Sequence, residues 1–153
     1  MIKFFLMMGI VVTCVMIGTI VRNYLFVRCQ IFKDFKGLCK SISNEISFLK
    51  TDKFTMLRNR VFLFKQSKAI IDNYLMENNV ECVYLKSVEN KTINDFLNSV
   101  GKMDIDGELN NLKYYGDLME EYYRINEDIY NKYGTFSIKI SIVIGVLIVI
   151  FLI

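Results

Sequence analysis

The run Asp104-Ile105-Asp106-Gly107-Glu108 is where residue types and spacing come nearest to metal chemistry, and the chemistry would be calcium binding. An EF-hand loop places oxygen ligands at positions 1, 3, 5 and 12, with glycine at 6. Counted from Asp104, position 6 is Leu109 and position 12 is Tyr115, so the loop fails. Acidic residues here fit a first helical turn, where they meet the positive end of the helix dipole. Gly101-Lys102 is no phosphate-binding loop either. Its required first glycine would be Phe96, and Met103 stands where a serine or threonine must follow the lysine.

Histidine is absent, which removes His-based triads, His-containing zinc sites and the usual proton shuttle near neutral pH. The four cysteines, Cys14, Cys29, Cys39 and Cys82, show no C-x-x-C spacing and read as reduced, buried thiols. Glu120, Glu121, Glu127 and Asp128 read as the solvated face of a helix. Arg58, Arg60, Lys65 and Lys68 read the same way, although they could meet an acidic partner or lipid headgroups. No residue is assigned a catalytic, cofactor-binding or metal-binding role, and the chain is read as a non-enzyme without cofactor or small-molecule substrate. Tyrosines are dense near the C-terminal end of the middle region. Most should pack against neighbouring helices, and Tyr115, Tyr122, Tyr123 and Tyr130 are the candidates for a partner surface.

These residues need elements to position them. The chain has 153 residues, 53% of them hydrophobic, with a mean hydropathy of +0.31, too apolar for an ordinary soluble domain. The excess lies at the two ends. Phe4 to Val21 is eighteen uncharged residues, about 27 Å of helix against a hydrocarbon core of about 30 Å. No small-x-small cleavage site follows it, so it reads as a retained span, not a signal peptide. Phe136 to Ile153 is a second span, interrupted only by Lys139, which can snorkel to the interface. Arg22, Arg28, Lys33, Lys36 and Lys40 follow the first span, opposed only by Asp34. The positive-inside rule therefore puts the middle in the cytoplasm and both termini outside. The mild net charge of +3 follows from this topology and does not point to nucleic acid. Gly9, Gly18 and Gly145 could allow close helix approach, but the second span is read as lacking a complete small-x-x-x-small pair.

The expected fold is all-α: a bundle of about five to six helices over residues 22–135, flanked by transmembrane helices over 4–21 and 136–153. Ile31, Phe35, Leu38, Ile42, Ile46 and Leu49 make one helical face. Thr51-Asp52 would start a second helix, through Met56, Leu57, Val61 and Leu63. Ser67 would cap a third, with Ile70, Ile71, Tyr74 and Leu75 inside, closed by Asn78-Asn79. A short helix near Glu81–Glu89 would precede one capped by Thr92-x-x-Asp95. Gly101 then forms a C-terminal cap, and Asp104 the N-cap of the longest helix. That helix has a seam at Ile105, Leu109, Leu112, Gly116, Met119, Tyr123, Asn126, Tyr130 and Tyr133. It should run through Gly134 into the second span, or kink there.

Three features resemble the stage III sporulation protein AB family of spore-forming Firmicutes. They are the opening span with Gly9 and Gly18 before a basic helix, Leu38-x-x-x-Ile42-x-x-Glu45-Ile46-x-Phe48, and Phe96-Leu97-x-x-x-Gly101-Lys102-Met103-Asp104-x-x-Gly107-Glu108-Leu109. The last of these makes Gly101, Asp104 and Gly107 the turn and cap leading into the long final helix. The sequence departs from the family pattern at Met103, where serine is expected, and at Glu108, near an expected glutamine. A proline after the first domain helix is also missing. The resemblance implies a cytoplasmic bundle similar to a domain of the type II secretion inner-membrane platform proteins. It implies membership of the complex linking mother cell and forespore, in the outer forespore membrane on the mother-cell side. The partners it implies are a secretion-type ATPase, other subunits of the complex and membrane lipid. An adaptor for a type II secretion or type IV pilus-like system in vegetative cells is the alternative.

Overall fold

The computed structural model describes residues 2–46, Leu57, 64–77 and 80–152. Among them are four helices: α1 (Ile2–Ile46), α2 (Lys65–Glu77), α3 (Ser87–Ser99) and α4 (Ile105–Leu152), with no strand. The expected count of five to six is not matched. The first span and the helix after it are one element, because nothing from Arg22 to Val27 breaks a helix and the whole chain lacks proline. The helix expected from Asp52 to Leu63 lies outside the described residues except for Leu57, which is helical and buried. The expected closure at Asn78-Asn79 lies outside them too.

Two helix starts are corrected. No separate helix covers Glu81–Glu89; α3 begins at Ser87, and Lys86 is its N-cap residue. The Glu89 carboxylate accepts the Lys86 backbone N–H at 2.8 Å, which satisfies a donor that the helix itself leaves orphaned. Thr92 therefore sits inside α3, its hydroxyl donating to the Val88 carbonyl at 2.9 Å. Ser67 is also inside a helix, since α2 starts at Lys65, and its side chain is fully buried.

The chain forms two compact units, one of Met1–Cys29 with Ile125–Ile153 and one of Gln30–Arg124. In the second, α1 supplies Ile31, Phe35, Leu38 and Ile42 to the core, joined by Phe32 and Cys39, so its buried stripe is wider than the four-and-three spacing alone gave. Ile70, Ile71 and Tyr74 come from α2, Ile93, Phe96 and Leu97 from α3, and Leu112 and Met119 from α4. Each such side chain contributes about 1.5–3 kcal/mol by leaving water. The Phe35 and Phe96 rings meet edge to face at 6.4 Å, and the Tyr74 hydroxyl donates to Leu97 O or Asn98 Oδ1, at 3.1 and 2.9 Å. Ile105 is exposed and not part of the seam, because Glu108, one turn on, takes the buried place.

In the first unit α1 and α4 run antiparallel, as the falling order of contacts shows: Phe26 with Tyr130, Gly18 with Ser137 and Ser141, Cys14 with Gly145. The inner face of α4 there is Asn126, Tyr130, Gly134, Ser137, Ser141 and Gly145, in steps of four and three. Tyr133, exposed, is outside it. Ser137, Ser141 and Gly145 are two consecutive small-x-x-x-small steps, so the second span does carry the pattern it was expected to lack. Counting glycines hid it, because serine is nearly as small. A Cβ on Gly18 would lie 2.6 Å from Ser141 Oγ and 2.9 Å from the Ser137 carbonyl, whereas one on Gly9 would meet nothing within 4 Å. The Ser137 hydroxyl is within reach of two carbonyls, Gly134 at 2.9 Å and Gly18 across the pair at 3.2 Å. α4 is helical throughout Gly134.

Both long helices are apolar enough to cross a membrane, and only 11% of the most apolar window of each is buried, unlike the core helix of a soluble protein. Gly18→Val should cost about 1–3 kcal/mol through overpacking against a carbonyl that cannot retreat, and Gly9→Val should be neutral. Thermal unfolding of the detergent-solubilised full chain, followed by circular dichroism, measures both.

Candidate functional site

The turn from α3 to α4 is built by backbone needs. Gly101 has φ 81°, a left-handed conformation that costs other L-residues about 1–2 kcal/mol. Its N–H donates to Glu108 Oε1 at 2.9 Å, and the Asp104 carboxylate accepts the Gly107 N–H at 3.2 Å. The Glu108 N–H closes the first turn of α4 on the Asp104 carbonyl at 2.8 Å. Gly107 is tightly approached, since a Cβ would lie 2.6 Å from Asp104 Oδ1 and 3.2 Å from Met103 Cβ, so the Asp104 carboxylate that caps it would have to move. The three residues Gly101, Asp104 and Gly107 thus meet in one turn, and Glu108 ties it from inside. The sequence places Glu108 in a first helical turn and in the family-like motif, but not as the acceptor for Gly101. Its second oxygen is buried with no hydrogen-bond partner among the described residues. Asn111, one turn further, donates to the Ser99 hydroxyl at 2.9 Å.

The four singled-out tyrosines are all partly buried, each against an aromatic ring or a cation. Tyr115 lies on Phe96 at 5.4 Å, Tyr122 on Phe32 at 5.1 Å and Tyr130 on Phe26 at 5.6 Å. Lys36 Nζ stands 5.7 Å from the Tyr123 ring centre and pairs with Glu120. Burial, then the nearby Asp95 charge, raises the Tyr115 pKa. Among the described residues the tyrosines most open to solvent are Tyr114, which lies off the expected seam, and Tyr133, which was expected in it.

A second feature without a sequence signal is the turn before α3. Asn90 clamps Cys82, accepting its N–H and donating to its carbonyl, both at 3.2 Å, while Leu85 N–H returns to the same carbonyl at 3.0 Å. Val83 at its tip is 92% exposed, so this turn presents an apolar knob on a fixed support.

Reactive chemistry is harder to place. A groove of about 410 Å³ between α1 and α4 is lined by Cys39, Lys40, Ser43, Lys113 and Asp117. Burial pushes the Cys39 thiol from 9.0 up to about 12, so it stays protonated and a poor nucleophile at neutral pH. No three Cys, Asp or Glu residues among those described gather to hold a metal ion. All four cysteines are free thiols.

The site is therefore a set of surfaces on a helical protein with two helices able to span a membrane. Residues 67–153, more than half of the chain, match the family described as stage III sporulation protein AB. The chain belongs to that family. No curated protein and no solved structure matches it.

Two outcomes are expected here. Gly101→Val and Glu108→Ala should each destabilise the full chain, by about 1–2 kcal/mol for the strained backbone and about 1–3 kcal/mol for the orphaned N–H. Glu108→Gln should stay near wild type, and denaturant unfolding ranks the three. Cys39 should resist alkylation at pH 8 until the chain unfolds. Its pKa is raised in the fold, so its contribution is complete below the ordinary thiol value of 9.0 and is lost as pH climbs toward about 12. A pH series of melting temperatures against Cys39→Ala checks the sign.

Proposed function

We propose that this chain is a non-enzymatic, membrane-anchored docking subunit of the complex that joins mother cell and forespore, working with a secretion-type ATPase. Membership of the stage III sporulation protein AB family carries the reading. Two helices long and apolar enough to span a membrane support the anchoring. The cations Arg22, Arg28, Lys33, Lys36 and Lys40 after the first apolar run favour a cytoplasmic middle region. Within that region the fixed turn presenting Val83 and the exposed Tyr114 are surfaces a partner could use. Chemistry then belongs to the ATPase, and this chain positions it against the outer forespore membrane. A subunit similar to type II secretion platform proteins would act in the same way.

A fluorescent fusion followed in the native host as it begins to sporulate tests this. Enrichment in the engulfing membrane, together with recovery of the ATPase on the fusion from sporulating cells, is the expected result. Even distribution around vegetative cells would contradict it and favour the secretion or pilus adaptor.

A further inference from the structure

In the first unit, a pocket of about 300 Å³ opens between α1 and α4, lined by Thr19, Arg22, Asn23, Phe26 and Tyr130. Its position follows from the sequence. Arg22 is the first charge after the apolar run Phe4–Val21, and Tyr130 precedes the second apolar run, which starts at Phe136. Both walls therefore stand where each helix would leave the hydrocarbon and enter the headgroup layer. Gly134 helps to shape the pocket. A Cβ there would lie 3.1 Å from the Tyr130 ring and 3.7 Å from Arg22 Cγ, so ring and arginine stem both lie close over the bare backbone. Phe26 stacks on Tyr130 at 5.6 Å and gives the pocket an apolar wall. Among the described residues Arg22 makes no ion pair, and the Tyr130 hydroxyl has no hydrogen-bond partner.

We propose that this pocket binds the headgroup of an anionic phospholipid. A guanidinium offers paired N–H donors that match two phosphate oxygens. The Asn23 amide and the Tyr130 hydroxyl add neutral donors, while Phe26 and the ring of Tyr130 suit the glycerol and first methylenes. Basic pockets between membrane helices on the cytoplasmic side have this chemistry. A membrane lipid is favoured over a free phosphate because the site is part apolar and lies at the boundary of the spans. The proposal rests on the membrane-anchored reading above.

The full chain is assembled into phosphatidylcholine nanodiscs doped with phosphatidylglycerol, and lipids retained on the released protein are counted by native mass spectrometry. Wild type is expected to retain phosphatidylglycerol about fivefold over phosphatidylcholine, the factor one arginine near an anionic surface supplies. Arg22→Gln should bring the ratio to parity, Arg22→Lys should keep part of it, and Lys132→Gln, a cation outside the pocket, should leave it unchanged. Helicity by circular dichroism shows that the variants fold. Parity in wild type, an unchanged ratio in Arg22→Gln, or an equal loss in Lys132→Gln would overturn the site. Displacement of the lipid by millimolar inorganic phosphate would overturn the lipid assignment in favour of a free anion. Co-elution with the disc is read first, and a chain that fails to enter it overturns the membrane reading and this site with it.

Discussion

The close approach of α1 and α4 is the constraint on which the first unit, with its two helices able to cross a membrane, depends. In lipid, two apolar helices gain little by leaving their surroundings, because the acyl chains are as apolar as leucine. What holds them is contact between backbones, and that requires small residues. Gly18 faces Ser137 and Ser141, and Gly145 faces Val11 and Cys14. The Ser137 hydroxyl stands 3.2 Å from the Gly18 carbonyl across the pair. Bulkier residues on these faces would separate the helices and remove both the packing and that contact. The aromatic pair Phe26–Tyr130 and the bare Gly134 continue the seam where the apolar runs give way to charge.

The second unit is held differently, by a buried apolar core shared among its helices. Its core is a stripe of phenylalanine, isoleucine and leucine from all four helices, and its polar contacts mostly serve the backbone. Asp104, Glu108, Glu89 and Asn90 each satisfy main-chain groups that a helix end or turn leaves without a partner. Asp104 and Glu108, from the run that comes nearest to a calcium loop in the sequence, are structural braces. The same economy holds for Cys39, whose burial leaves it protonated.

The sequence made the helical class, the two apolar runs and the inner faces of Ile31–Ile42 and Leu112–Met119 legible, because side-chain periodicity is dictated by burial. It was misleading at Thr92, where a capping-box pattern fell inside a helix whose N-cap residue is Lys86, with Glu89 as the carboxylate that reaches back. Pattern alone cannot tell which of two carboxylates reaches back. It was misleading again at Ser137 and Ser141, whose importance comes from what lies opposite. Arg28 to Lys50 looked like a separate helix because its polarity differs from that of the span, yet hydrogen bonding runs on through Arg22–Val27 without regard to polarity. Tyr115, Tyr122, Tyr123 and Tyr130 stood out by number, whereas their partly buried rings depend on Phe96, Phe32, Lys36 and Phe26, far away in the chain.

The pairing of the two spans is the claim most open to a direct test, by cross-linking the native Cys14 to a cysteine at Gly145. A Cβ at position 145 would lie 3.3 Å from that of Cys14, close to the separation of about 3.5–4.5 Å that a disulfide bridges. In membranes, with Cys29, Cys39 and Cys82 replaced by alanine, mild oxidation of Gly145→Cys should give an intramolecular cross-link that migrates as a monomer. Val146→Cys, on the exposed face, should not. Absence of the link in Gly145→Cys, or equal linking at both positions, would contradict the antiparallel pair.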